Sequence, residues 1–154
     1  MSKERLLHYN STVCYLKREN KVLMIKFTKK WGNVYAPPGG KFEKGESPLD
    51  CIMREFKEET GLTLIKPKLQ GISYWQDSVE GIIFVYTAEE FEGDLISDSE
   101  EGNLEWIKIE ELSQIKQFEQ NEKFTPYLFN ENVFEAKFLL DDKCKVLNYI
   151  IRNS

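Results

Sequence analysis

The sequence predicts a single α+β domain, a mixed β-sheet layered with helix, on three observations. Strand-forming runs lie on both sides of one well-marked helix, and no segment repeats. The 154 residues, 41% hydrophobic and 13% aromatic, suffice for one buried core and no more. One domain spanning residues 1–154 is therefore expected.

Each element has its own signal. Residues 9–18 and 21–28 are rich in Val, Tyr, Leu, Ile and Phe and flank the polar turn Arg18-Glu19-Asn20, the pattern of a β-hairpin. Trp31-Gly32-Asn33 to Pro37-Pro38-Gly39-Gly40 reads as a loop, because prolines exclude helix and paired glycines let a backbone approach a ligand closely. The helix follows. Ser47 is a good N-cap, Pro48 fills the first helical position, Asp50 completes an S-x-x-D start, and Gly61 supplies the stop. Between them Leu49, Ile52, Met53 and Phe56 repeat at helical spacing as an apolar stripe. Extended stretches are expected over 63–75 and 81–92, a polar insertion over 92–103, and a short strand over 104–109. Helical turns are expected over 110–116 and 121–130, and a closing hairpin from 133–140 and 145–151 around Asp141-Asp142-Lys143.

A net charge of −5 argues against a non-specific nucleic-acid binder held by phosphate contacts. An anionic substrate would need a local basic patch or divalent cations. Cys14, Cys51 and Cys144 are odd in number and not in metal-ligand spacing, so free thiols in a reducing compartment are expected. No run approaches the length of a membrane span or a signal peptide, and a cytoplasmic protein is expected, as monomer or homodimer. The one histidine, His8, reads as a surface or strand residue.

The informative segment is Arg54-Glu55-Phe56-Lys57-Glu58-Glu59. At about 100° per residue, Glu55, Glu58 and Glu59 leave the helix in one sector. Like charges at these spacings repel by a few tenths of a kcal/mol per pair, and carboxylates near a helix C-terminus oppose its dipole. Lys57 points elsewhere and Arg54 is expected to neutralise one of the three. A divalent cation is a natural partner, and hard oxygen ligands select Mg²⁺ or Mn²⁺, which suits a polyphosphate substrate. Three glutamates taken alone also describe a solvated acidic face.

From Gly40 the chain reads Gly40, five residues, Glu46, seven residues, then Arg54-Glu55-Phe56-Lys57-Glu58-Glu59-Thr60-Gly61-Leu62. It resembles the Nudix hydrolases, matching all nine defined positions of G-x5-E-x7-R-E-U-x-E-E-x-G-U, U being apolar. The resemblance implies an α/β/α sandwich and a Mg²⁺-dependent nucleotide diphosphatase, with Mn²⁺ as a substitute. It makes Glu58 and Glu59 metal ligands, Glu55 a ligand or general base, and Gly40 a ligand through its backbone carbonyl. Arg54 would orient Glu55, Glu46 would hold the loop to the helix, and Gly61 would be structural. A further acidic ligand is expected after this stretch: Glu101, five residues before Trp106, with Glu100 and Glu105 as competitors.

Phe91-Glu92-Gly93-Asp94-Leu95, the stretch from Glu101 to Trp106, and Phe134-Glu135-Ala136-Lys137-Phe138 look like the bacterial MutT-type group, the 8-oxo-dGTP diphosphatases. That likeness implies cleavage of a nucleoside triphosphate to nucleoside monophosphate and diphosphate. Phe118 and Asn121 fall where base-reading residues are expected, with Tyr35 as a wall from the opposite loop. The loop 31–38 departs from the group's usual Trp-Asn-Gly approach, which leaves a hydrolase of ADP-ribose or another nucleoside diphosphate derivative as an alternative. The ADP-ribose branch has a proline about fifteen residues beyond the box, absent here, and the dinucleoside-polyphosphate branch a tyrosine near that distance; Tyr74 is early and Tyr86 late. A non-catalytic, nucleotide-binding regulator would show a decayed motif.

Overall fold

The β-branched run at the start of the chain forms its hairpin as its pattern predicts. In the computed structural model, which describes residues 9–153, β1 (Ser11–Arg18) pairs antiparallel with β2 (Lys21–Phe27) around a turn in which Glu19 has φ 57°. His8 lies outside the described residues. Alternation along β1 sends Tyr15 to one face of the sheet and Cys14 and Leu16 to the other.

The expected loop before the helix contains two short strands, β3 (Tyr35–Ala36) on β2 and β4 (Gly39–Lys41) on β1. Glycine is what permits the second pairing, since a Cβ on Gly39 would sit 2.0 Å from the Thr12 carbonyl oxygen.

The helix α1 (Pro48–Thr60) is capped at both ends. The Asp50 N–H donates to Ser47 Oγ and the Ser47 N–H to Asp50 Oδ2, both at 3.1 Å, while Gly61 at φ 82° donates its N–H to the Lys57 carbonyl. Ile52 and Phe56 are buried, but Leu49 is 46% exposed, so the packed stripe begins a turn later than the sequence suggests.

The two long extended stretches are each broken. Pro67 and Lys66, at φ 49°, separate β5 (Thr63–Ile65) from β6 (Lys68–Gln76), and Glu89 separates β7 (Glu80–Ala88) from β8 (Glu90–Glu92). β5 and β8 pair as a small separate sheet. β9 (Gly102–Lys108) runs along β2. The region 110–116 holds only a 3-10 turn, Ile109–Glu111, and then turns; α2 (Glu119–Phe124) starts earlier than expected and passes into a 3-10 turn, Thr125–Tyr127. β10 (Phe134–Leu140) and β11 (Val146–Asn153) close the chain as a hairpin.

The main sheet runs β11-β10-β6-β7-β1-β2-β3 and is mixed, with β1–β7 and β6–β10 parallel. Ile52 and Phe56 of α1 pack with Cys14 and Leu16 on one face, and Phe124 of α2 with Tyr15, Phe134 and Phe138 on the other. Helices thus cover both faces of the sheet. Among the described residues no helix is long and apolar enough to cross a membrane.

Candidate active site

The helical sector that carries the glutamates turns toward β4 and the loop before it. Arg54 organises that junction. Its Nε and Nη2 donate to the two oxygens of Glu46 at 2.6 and 2.9 Å, its Nη1 to Glu55 Oε1 at 2.8 Å and to Glu58 Oε2 at 3.2 Å, and its Nη2 also to the Lys41 carbonyl at 3.1 Å. Glu43 lies 3.5 Å from Nε. Arg54 therefore does not neutralise one carboxylate, as the sequence suggests; it bridges four, because a planar guanidinium offers five donors in a fixed fork. The Arg54 hydrogen bonds, with a second from the Glu43 N–H, hold the Glu46 carboxyl down at about 2. Arg54 itself is pushed further up, first by Glu46.

Gly40 gives Glu55 its place. A Cβ there would lie 2.4 Å from Glu55 Cδ and within 2.7 Å of both carboxylate oxygens. Next to it, the Glu59 carboxyl is pushed up to about 9, first by burial, then by the charges of Glu101 and Glu55, against a hydrogen bond from the Gly39 backbone. Pairing of β9 with β2 brings Glu101 to this point, and Ser99 Oγ fixes the turn by accepting the Glu101 and Gly102 N–H groups at 3.2 Å. Of the three acidic candidates in that segment, Glu101 is the one whose charge acts on Glu59.

Glu55, Glu59 and Glu101 are thus near neighbours, while Glu58, its side chain 59% exposed, is held at the rim by Arg54. Among the described residues no three ligating side chains converge into a formed metal cluster. The donor set nonetheless fits a hard divalent cation: all oxygen and acidic, with the Glu59 carboxyl pushed up first by burial and then by its neighbours' charge. A backbone carbonyl belongs to the same group. The Cys51 thiol donates to the Gly40 carbonyl at 3.6 Å and accepts from Thr12 Oγ1 at 3.2 Å, tying β1, β4 and α1 together beneath it. Cys51 is a free thiol, as the sequence predicts, and its place one turn before Glu55 is the signal that sets it beneath the carboxylates.

Beside this group, on the α2 side of the sheet, lies a mainly apolar cavity of about 390 Å³, lined by Val13, Trp31, Pro37, Trp75, Phe118 and Asn121 among others. Phe118 and Asn121 thus share one pocket. Tyr35 is not among its lining residues: its N–H donates to the Lys116 carbonyl, and its ring lies 5.7 Å from Lys26 Nζ. The aromatic wall is Trp31, edge-on to Phe118 at 5.3 Å and to Phe27 at 4.8 Å. Asn121 is 8% exposed, and its carboxamide makes no hydrogen bond to another described residue. Pocket and carboxylates are joined through one loop: Pro37 lines the cavity, Gly39 bonds Glu59 and Gly40 meets Glu55. Those positions fall within about 14 Å of chain even if fully extended.

The family model for the NUDIX domain matches residues 7–128. The chain is 34% identical over 111 residues to the uncharacterized Nudix hydrolase YvcI of Bacillus subtilis, a match covering 68% of each. It is 25% identical over 116 residues to the NAD-capped RNA hydrolase NudC of Vibrio parahaemolyticus, covering 72% of this chain but only 44% of that protein's length. Among solved structures it is similar to the MutT protein of Bacillus halodurans, with a TM-score of 0.88 and 28% identity over 93% of this chain and 97% of that one.

Proposed function

This chain belongs to the Nudix hydrolases, enzymes that cleave diphosphate linkages in nucleotides, and from that premise we propose that it is a single-domain nucleoside triphosphate diphosphatase of the MutT type. Its substrate in this reading is an oxidised purine nucleotide such as 8-oxo-dGTP, cleaved with Mg²⁺ to nucleoside monophosphate and diphosphate. The observation that carries the reading is the junction at residues 37–40, where a mainly apolar pocket adjoins a crowded group of carboxylates.

Glu55, Glu58, Glu59 and Glu101, with the Gly40 carbonyl, would hold the cation. When bound, it supplies positive charge that offsets the phosphates and makes the attacked phosphorus more electrophilic. Glu55 takes the proton of the attacking water, and Arg54, through its 2.8 Å hydrogen bond, keeps that carboxylate turned toward the loop. Trp31 and Phe118 enclose the base. Asn121, buried and with its carboxamide uncommitted, donates to and accepts from a purine edge.

The test is a panel of dGTP, 8-oxo-dGTP, ADP-ribose, diadenosine polyphosphates and capped RNA, assayed with Mg²⁺ and Mn²⁺ with products identified. Preferential cleavage of 8-oxo-dGTP is expected, and Glu55→Gln and Glu58→Gln are each expected to abolish diphosphate release while unfolding at the wild-type temperature. Undiminished turnover in both variants would overturn the site; much faster cleavage of ADP-ribose or capped RNA would overturn the substrate.

A further inference from the structure

The carboxylate group sits at the start of β1, and the far end of that strand has the opposite charge. About 17 Å along, at the usual rise per residue, a cavity of about 250 Å³ is lined by Lys17, Lys66 and Lys68 together with Thr87, Phe129 and a single carboxylate, Glu89. Lys17 Nζ lies 3.8 Å from Glu89 Oε1 and 5.5 Å from the centre of the Phe129 ring. Lys68 Nζ donates to the Glu131 carbonyl at 3.4 Å. Lys66 pairs with no acidic group among the described residues.

Two features make this more than scattered surface lysines. Lys66 is held at φ 49°, a conformation uncommon for a long side chain, directly before Pro67, whose ring fixes the next backbone angle. The opposite wall is also tied down: Gln70, 1% exposed, has the two N–H groups of Nε2 shared among the carbonyls of Tyr127, Asn130 and Asn132 at 3.2, 3.0 and 3.0 Å. A cavity lined by three lysines, two of them exposed, and one carboxylate stands out in a chain of net charge −5. Its mutual repulsion is relieved by an anion.

The chemistry of the lining narrows the ligand. Compact ammonium charges with a neighbouring hydroxyl, Thr87, suit the many acceptors of phosphate groups. Phe129 is the one aromatic residue of the lining, and Lys17 Nζ lies over it 5.5 Å from the ring centre, so the lining offers charge rather than a second ring to sandwich a base. We propose that Lys17, Lys66 and Lys68 form a second, metal-independent site for a di- or triphosphate group, at the opposite end of β1 from the carboxylates.

Phosphate chemistry has two sources, a free oligophosphate or the phosphodiesters of single-stranded RNA, and we assign the free anion. The experiment is calorimetric titration of the full chain in EDTA, which removes the cation from the carboxylate group, with inorganic triphosphate in one arm and an unphosphorylated RNA oligonucleotide in the other. Saturable triphosphate binding that weakens with salt is expected, at least about tenfold weaker in the Lys66→Gln/Lys68→Gln variant. That variant should unfold like the wild type and keep its Mg²⁺-dependent turnover. No saturable binding in EDTA, or equal binding by the variant, would overturn the site. RNA binding lost in the variant without any triphosphate binding would overturn the choice of ligand.

Discussion

Gly40 and Gly45 lie five residues apart, and replacing each by alanine should damage the protein in opposite ways. Gly40 does not need a left-handed backbone, so alanine fits its conformation, but the new Cβ would meet Glu55 Cδ at 2.4 Å, where ordinary contact begins at 3.4 Å. The carboxylate must withdraw by about 1 Å, a displacement that costs on the order of a hundredfold in rate when it misplaces a reacting group. Little stability is at stake, because what moves is the end of a flexible side chain whose partly exposed pairing with Arg54 contributes at most about 1 kcal/mol. Gly45 is the reverse case: φ is 87° and nothing lies within 4 Å of its Cβ position. Alanine there should cost about 1–2 kcal/mol in backbone strain, which for a chain of this size lowers Tm by about 2–8 °C. Steady-state kinetics with 8-oxo-dGTP and thermal unfolding of both variants read the two effects separately. Full kcat in Gly40→Ala would refute the role given to the Glu55–Gly40 contact.

Three further outcomes are expected. Glu59 keeps its proton up to about 9 against an ordinary 4.5, so between those values the metal-free fold binds more protons than the unfolded chain, and this group's contribution to stability falls as pH rises. With Glu59 as a ligand in the proposed site, Mg²⁺ would displace that proton, and its affinity is expected to rise about tenfold per pH unit up to about pH 9 with proton release; a flat metal titration with no proton released would refute this. Arg54→Lys loses the two-point grip on Glu46 and should lower kcat by about 10–100-fold, while NMR titration shows the Glu46 carboxyl returning from about 2 toward its usual range. Asn121→Leu should raise KM for 8-oxo-dGTP by about tenfold or more, as expected when a base edge loses its partner, and an unchanged KM would remove Asn121 from the pocket's reading of the base.

Local pattern made α1 legible from the sequence. Ser47, Pro48, Asp50 and Gly61 act within a few residues of themselves, and the sector shared by Glu55, Glu58 and Glu59 follows from helix geometry alone. What the sequence concealed is long-range or irregular. Lys66 and Pro67 break a run whose composition reads as one strand, and Gly39 pairs with β1 inside a stretch that reads as loop. Tyr35 and Trp31 are both aromatic residues of that loop, and no local signal tells which ring meets Phe118; pairing of Tyr35 with β2 turns it away, and Trp31, at φ 58°, takes the wall. Leu49 keeps the period of the stripe but lies in a first turn that stays exposed.

The four carboxylates on Arg54 explain how a crowded acidic group can exist before any cation arrives. Glu46 is matched to Arg54 by two short hydrogen bonds and is spent in that pairing, whereas Glu55 and Glu58 each take one hydrogen bond from the same nitrogen, Nη1. The guanidinium therefore fixes its own position against Glu46 and only biases the other two, and Glu55 also shares a side-chain hydrogen bond with Glu59. Glu59 and Glu101 have no such cation, and burial with mutual repulsion keeps a proton on Glu59 instead. One fixed positive charge and one removable proton thus offset part of the group's negative charge, and the remainder is what favours a cation. In the proposed site a divalent ion would displace that proton, while the Arg54–Glu46 pairing would hold Glu55 and Glu58 in position.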